Sequence, residues 1–119
     1  MEHPATDLKD RTKHFALRVV KVVRSLPPGM EGRMIGDQLL RSGTSVAANY
    51  RAVCRARSKA EFIARIGVVA EEADEAVLWL ELLTESGIVS QEKTQELLTE
   101  AKELAAIFTA SQHTAKKVA

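Results

Sequence analysis

The apolar positions of this chain recur every three to four residues in four separate stretches, the spacing of amphipathic helices and not of strands. The first stretch runs from about Asp7 to Leu26, where Leu8, Phe15, Val19, Val22 and Leu26 share one face, widened by Ala16, Val20 and Val23. Pro27-Pro28-Gly29 ends it, because proline disfavours helical geometry in the residue before it and has no backbone N–H to donate. The second stretch spans roughly Gly32 to Ala56, with Ile35, Leu39, Ser42, Val46, Asn49, Val53 and Ala56 in register. Its middle, Ser42 to Asn49, is poor in helix propensity; a glycine such as Gly43 costs ~1 kcal/mol against alanine in a helix. The unbroken register predicts that packing outweighs that cost, with small residues admitting another helix at close range.

The third stretch opens on Ser58-Lys59-Ala60-Glu61, a capping box in which a serine hydroxyl and a glutamate carboxylate satisfy free N–H groups. Phe62, Ile66, Val69, Ala73, Ala76, Leu80 and Leu83 form its seam, and Ser86-Gly87 supplies a glycine cap. The fourth begins near Ser90, carries Leu97, Ala101, Leu104 and Phe108 on one face, and is expected to fray from Gln112 towards Ala119. Short connections force neighbouring helices to run antiparallel. The reading is an all-α, up-down-up-down antiparallel four-helix bundle, one domain over residues 1–119, with helices at roughly 7–26, 32–56, 59–86 and 90–112.

Composition agrees with that picture. At 119 residues the chain can bury one core but not two. Aromatic residues are only 4%, so the core is built from Leu, Val, Ile and Ala. Met1 to Asp7 has neither a basic run nor an apolar stretch, no apolar run approaches the ~18 residues of a membrane span, and Cys54 is the single cysteine. These features predict a cytoplasmic protein without membrane association or disulfides. Cys54 itself is expected to be a buried or half-buried small hydrophobe.

Charge changes the picture more. The net charge is only +1, but residues 1–65 hold 13 Lys/Arg against 6 Asp/Glu, whereas residues 66–119 hold 4 against 10. Arg11, His14, Arg18 and Lys21 line one face of the first helix, and Arg51, Arg55 and Lys59 follow at intervals of four, with Arg41, Arg57 and Arg65 nearby. Arg11, Arg18, Lys21, Arg51, Arg55 and Lys59 are therefore candidate phosphate contacts for RNA or DNA, since such arrays gain affinity by releasing counterions. Neither stripe contains aromatics for base stacking, so any recognition would be sequence-tolerant. Glu92, Glu96, Glu100 and Glu103 stripe the fourth helix, and Glu71, Glu72, Asp74, Glu75, Glu81 and Glu85 decorate the third. Opposed stripes suit head-to-tail subunit contacts, or pairing within one subunit.

Catalytic and metal chemistry find no foothold. A di-metal bundle site needs Glu-x-x-His pairs, and none of His3, His14 and His113 lies three residues after a glutamate. Ser42, Thr44 and Ser45 have neither a histidine within helical reach nor a glycine-framed elbow. No enzyme activity and no cofactor are expected. Ser42, Ser45 and Asn49 are read instead as helix-packing or oligomer contacts, with Asn49 as a buried register-setting amide and Tyr50 and Trp79 as anchors at the edge of the core or of a subunit contact.

The motifs also carry a resemblance. Leu40-Arg41-Ser42-Gly43-Thr44-Ser45-Val46-Ala47-Ala48-Asn49-Tyr50-Arg51 resembles the signature of the bacterial four-helix-bundle proteins related to the 23S rRNA intervening-sequence protein. Ala56-Arg57-Ser58-Lys59-Ala60-Glu61-Phe62 and the run Glu72-Ala73-Asp74-Glu75 followed by Trp79-Leu80-Glu81-Leu82-Leu83 resemble its later motifs. Ala52 stands where that pattern carries a glutamate. The resemblance spans roughly residues 8 to 110 and implies a cytosolic bacterial protein forming a ring-like homopentamer. A more distant branch, the accessory proteins of diversity-generating retroelements, implies contact with nucleic acid.

Overall fold

The seams read from the sequence become one continuous core. Phe15 and Val19 from the first helix, Leu39 and Val46 from the second, Val69, Ala73, Ala76, Leu80 and Leu83 from the third, and Ala101, Leu104 and Phe108 from the fourth are all fully buried. The computed structural model describes residues 4–118, with α1 at Pro4–Arg24, α2 at Met30–Val53, α3 at Lys59–Glu85 and α4 at Gln91–Lys117. The helices form an up-down-up-down antiparallel bundle measuring 48 × 27 × 18 Å. Neighbours α1–α2, α2–α3, α3–α4 and α1–α4 pack together, while α1 and α3 stand at diagonal corners, as do α2 and α4. That diagonal leaves each with an outward face on opposite sides of the bundle.

The caps explain the boundaries. Ser58 accepts a hydrogen bond from the Glu61 N–H at 3.0 Å, while the Glu61 carboxylate accepts from the Arg57 N–H, one residue short of the reciprocal bond of a capping box. The same carboxylate also holds Arg65 one turn on, which draws it outward. At the other end of α3, Gly87 adopts φ +82°, a conformation that glycine reaches without a Cβ clash. The Gly87 N–H then bonds to the Thr84 carbonyl and the Val89 N–H to that of Leu83.

Four expectations need correction. First, α2 stops at Val53, and the N–H groups of Cys54, Arg55 and Ala56 close a last turn before the chain leaves the axis. Lys59 therefore opens α3 and does not continue an α2 stripe through Arg51 and Arg55. Second, Asn49 is only half-buried and Ala56 likewise, whereas Tyr50 occupies the seam at 6% exposure. The drift of a 3.6-residue helix against a strict 4-3 repeat rotates the core face by about one residue over this length. Third, Cys54 is exposed, because it falls in the turn after α2. Fourth, α4 continues to Lys117 instead of fraying at Gln112. Gln112 explains it: its amide donates to the Ile63 carbonyl of α3 at 3.1 Å, over Gly67, where the absent side chain leaves it room. The start of the chain, Met1 to His3, and Ala119 lie outside the described residues.

Two seam positions held by threonine were not foreseen. Thr12 is buried between Leu8 and Phe15 and donates to the Leu8 carbonyl, so its hydroxyl carries no unpaired polarity into the core. Thr94 is equally buried and shares a 2.7 Å hydrogen bond with Thr84 across the α3–α4 connection.

Candidate interaction surfaces

The basic residues separate into those that are occupied and those that are not. Arg11 makes two parallel bonds of 2.7 Å to the Glu100 carboxylate and a third of 3.0 Å to Glu103, which ties α1 to α4. The hydrogen bonds to Glu100 raise its already high pKa further. Arg41 bonds to Glu72 and Glu75 across α2 and α3, and Arg65 pairs with Glu61 one turn away. Arg18 and Lys21 share a surface cleft with Glu92 and Glu96 at the opposite end of the bundle from the α2–α3 turn. Arg11 is thus paired with the acidic stripe of α4 within the same subunit, while Arg18 and Lys21 border that stripe without an ion pair among the described residues.

Arg51, Arg55, Arg57 and Lys59 are different. All four are exposed and make no ion pair among the described residues. Arg55 and Arg57 line a shallow cleft with Ala52, Glu61 and Arg65 around the α2–α3 turn. The fold adds what the sequence tally concealed. Because Gln112 sits against Ile63, Lys116 and Lys117 lie one turn farther along α4, level with the first turn of α3. Two lysines of the acidic half therefore join the basic end. The signal was the antiparallel register of α3 and α4, not the charge count.

Ser42, Ser45, Asn49, Tyr50 and Trp79 divide between core and surface. Ser42 is fully buried and donates to the Leu39 carbonyl at 3.3 Å. Asn49 donates to the Ser45 carbonyl at 2.9 Å, so its amide is satisfied within α2 and both residues remain half-buried. Tyr50 is in the core, not at its edge, with its ring 5.3 Å from that of Phe108. Burial, then the nearby Cys54 thiol, pushes the Tyr50 phenol up to about 12. Trp79 is half-buried and its indole N–H donates to Glu75 at 3.1 Å. Burial tends to raise the Glu75 pKa, but Arg41 and the indole outweigh it and hold the carboxyl below its ordinary value.

The outward face of α3 sets exposed apolar side chains among its acidic ones. Leu78 and Leu82, one turn apart, are 47% and 39% exposed, and Val68 is exposed on the same side. Across the bundle Leu17 of α1 is 58% exposed. None of the large exposed apolar residues among the described residues is aromatic. No group of three or more His, Cys, Asp or Glu side chains among the described residues is arranged to hold a metal ion, and no helix is long and apolar enough to cross a membrane.

A family model described as 23S rRNA-intervening sequence protein matches residues 6–110. Among solved structures, the chain is similar to a protein of unknown function from the S23 ribosomal protein family of Bacteroides thetaiotaomicron VPI-5482. The two superpose with a TM-score of 0.81 at 30% identity, over 88% of this chain and 97% of the other. Among curated proteins none matches.

Proposed function

This chain belongs to the 23S rRNA-intervening sequence protein family, and from that premise we propose that it acts as a cytoplasmic, non-catalytic homo-oligomeric scaffold. The observation that carries the proposal is the exposed pair Leu78 and Leu82 on α3. A helix that is apolar on its core side and again on its outer side is normally covered on both. The neighbouring Arg41–Glu75–Trp79 set adds a pre-ordered polar border to that face, the arrangement of an apolar contact with a polar rim. The pentamer implied by the family resemblance is the specific expectation. Size exclusion with light scattering tests it: the expected mass is a multiple of the 13.1 kDa chain. A monodisperse species of one chain at physiological salt and micromolar concentration overturns the scaffold reading.

A second reading is favoured by one observation, the exposure of Arg51, Arg55 and Lys59 without carboxylate partners among the described residues. On this reading the protein is an accessory factor that binds RNA or DNA through phosphates. Arg11 is the weaker candidate, since its Nε and Nη2 groups and its charge are already taken up by Glu100 and Glu103. The test is anisotropy of a labelled mixed-sequence RNA between 50 and 200 mM salt. Losing two of several phosphate contacts should weaken binding in Arg51→Ala/Arg55→Ala and flatten the salt dependence by about 2 in log–log slope. Binding indifferent to both salt and these substitutions overturns it.

A further inference from the structure

We propose that the outward face of α1 in one copy seats on the outward face of α3 in the next, giving a head-to-tail contact between different surfaces. The inference rests on the oligomeric reading above and specifies its partner surfaces.

The two faces are complementary in charge and alike in apolar content. On α1, Lys13, Leu17, Lys21 and Arg24 follow at intervals of four, four and three, so they form one outward row, headed by Asp10. All are exposed. On α3, Glu71, Asp74, Leu78, Leu82 and Glu85 form the corresponding row, exposed throughout. One row is basic around a leucine, the other is acidic around two. Lys13 and Lys21 make no ion pair among the described residues, and neither do Glu71, Asp74 and Glu85. The rows span similar lengths, about 16 Å and about 21 Å at 1.5 Å per residue.

Placement decides the symmetry. Since α1 and α3 occupy diagonal corners, each subunit presents the two rows on opposite sides. A two-fold contact would set α1 against α1, basic on basic, or α3 against α3, acidic on acidic, and like charges at close range are unfavourable. A heterologous contact sets opposite charges together and buries Leu17 beside Leu78 and Leu82. Repeated, such a contact closes into a ring when its rotation divides the circle and otherwise runs on as a filament.

The test uses two surface variants, Leu17→Asp and Leu78→Asp. Each should lose assembly alone, because every contact needs both faces. Mixed in equal amounts they should recover a 1:1 heterodimer, since the first retains a sound α3 face and the second a sound α1 face. Light scattering reads the masses, and circular dichroism confirms that each variant keeps its helices. Should an aspartate unfold the chain, Lys13→Glu/Arg24→Glu and Glu71→Lys/Glu85→Lys pose the same question at exposed positions. An assembling parent indifferent to Leu17→Asp overturns this surface pairing but leaves the oligomeric reading standing. A mixture of two monomeric variants that does not recombine overturns it in the same way. A parent that is itself a monomer overturns both.

Discussion

Gly43 of α2 and Val19 of α1 meet so closely that a β-carbon on the glycine would lie 2.8 Å from Val19 Cγ2. Val19 is fully buried and β-branched, so it has no free rotamer into which to withdraw. Helix propensity alone would favour Gly43→Ala by ~1 kcal/mol, but overpacking a rigid contact costs about 1–3 kcal/mol and should win. The variant is expected to unfold at lower urea, with a net loss of up to about 2 kcal/mol and an unchanged slope.

Gly67 gives the opposite expectation from a shorter contact. A β-carbon there would meet the Gln112 Nε2 at 2.3 Å, the free end of a flexible side chain. In Gly67→Ala the amide swings away and its bond to the Ile63 carbonyl is lost, worth about 1 kcal/mol. The gain in helix propensity is of similar size. Stability should move by less than about 0.5 kcal/mol, while amide exchange over residues 112–117 speeds up as the end of α4 loses its anchor.

Arg11 and Glu100 lie 89 positions apart and form a bidentate pair, with side chains 30% and 17% exposed. Paired guanidinium–carboxylate forks are among the stronger surface interactions, though partial exposure screens them. Arg11→Ala should lower stability by about 1 kcal/mol, a fall of roughly 4 °C for a chain of this size. The loss should shrink at high salt. Reversing both charges, Arg11→Glu with Glu100→Arg, should recover part of it.

Tyr50 is the only tyrosine, so its ionisation can be followed by absorbance without overlap. Its phenol should titrate near the native value of about 12, against about 10 once the chain is unfolded. The sign follows from a raised folded pKa: the neutral ring is favoured by folding, and that contribution is complete below pH 10. It is lost progressively as pH rises from about 10 to about 12. Tyr50→Phe should remove this alkaline loss of stability and leave the melt near pH 11 closer to that at pH 9. A native phenol titrating near 10 would mean that the ring is not held against Phe108.

Much of this architecture is legible before folding is considered. Apolar spacing marks the four helices and most of the core, since a helix can only bury a face that recurs every three to four residues. Pro27, Pro28, Ser58 and Gly87 mark ends because their effects act within one turn of chain. The errors fall where a local rule met a distant partner. Tyr50 takes the seam place read for Asn49 because the helix drifts against a strict 4-3 repeat, and Phe108 from another helix then receives its ring. The last turns of α4 hold because Ile63 and Gly67 receive Gln112, a fit that no propensity encodes.

The charges divide the same way. Composition and a fixed helical period set how many basic and acidic residues there are and which share a helical face. Which of them are free depends on how the helices pack. That packing brought Glu100 and Glu103 onto Arg11, left the guanidinium groups of Arg51, Arg55 and Arg57 without an ion pair among the described residues, carried Lys116 and Lys117 to the same end, and set the faces of α1 and α3 on opposite sides. Pairing depends on separation in space, and in an antiparallel bundle residues far apart in the chain can be hydrogen-bonded neighbours.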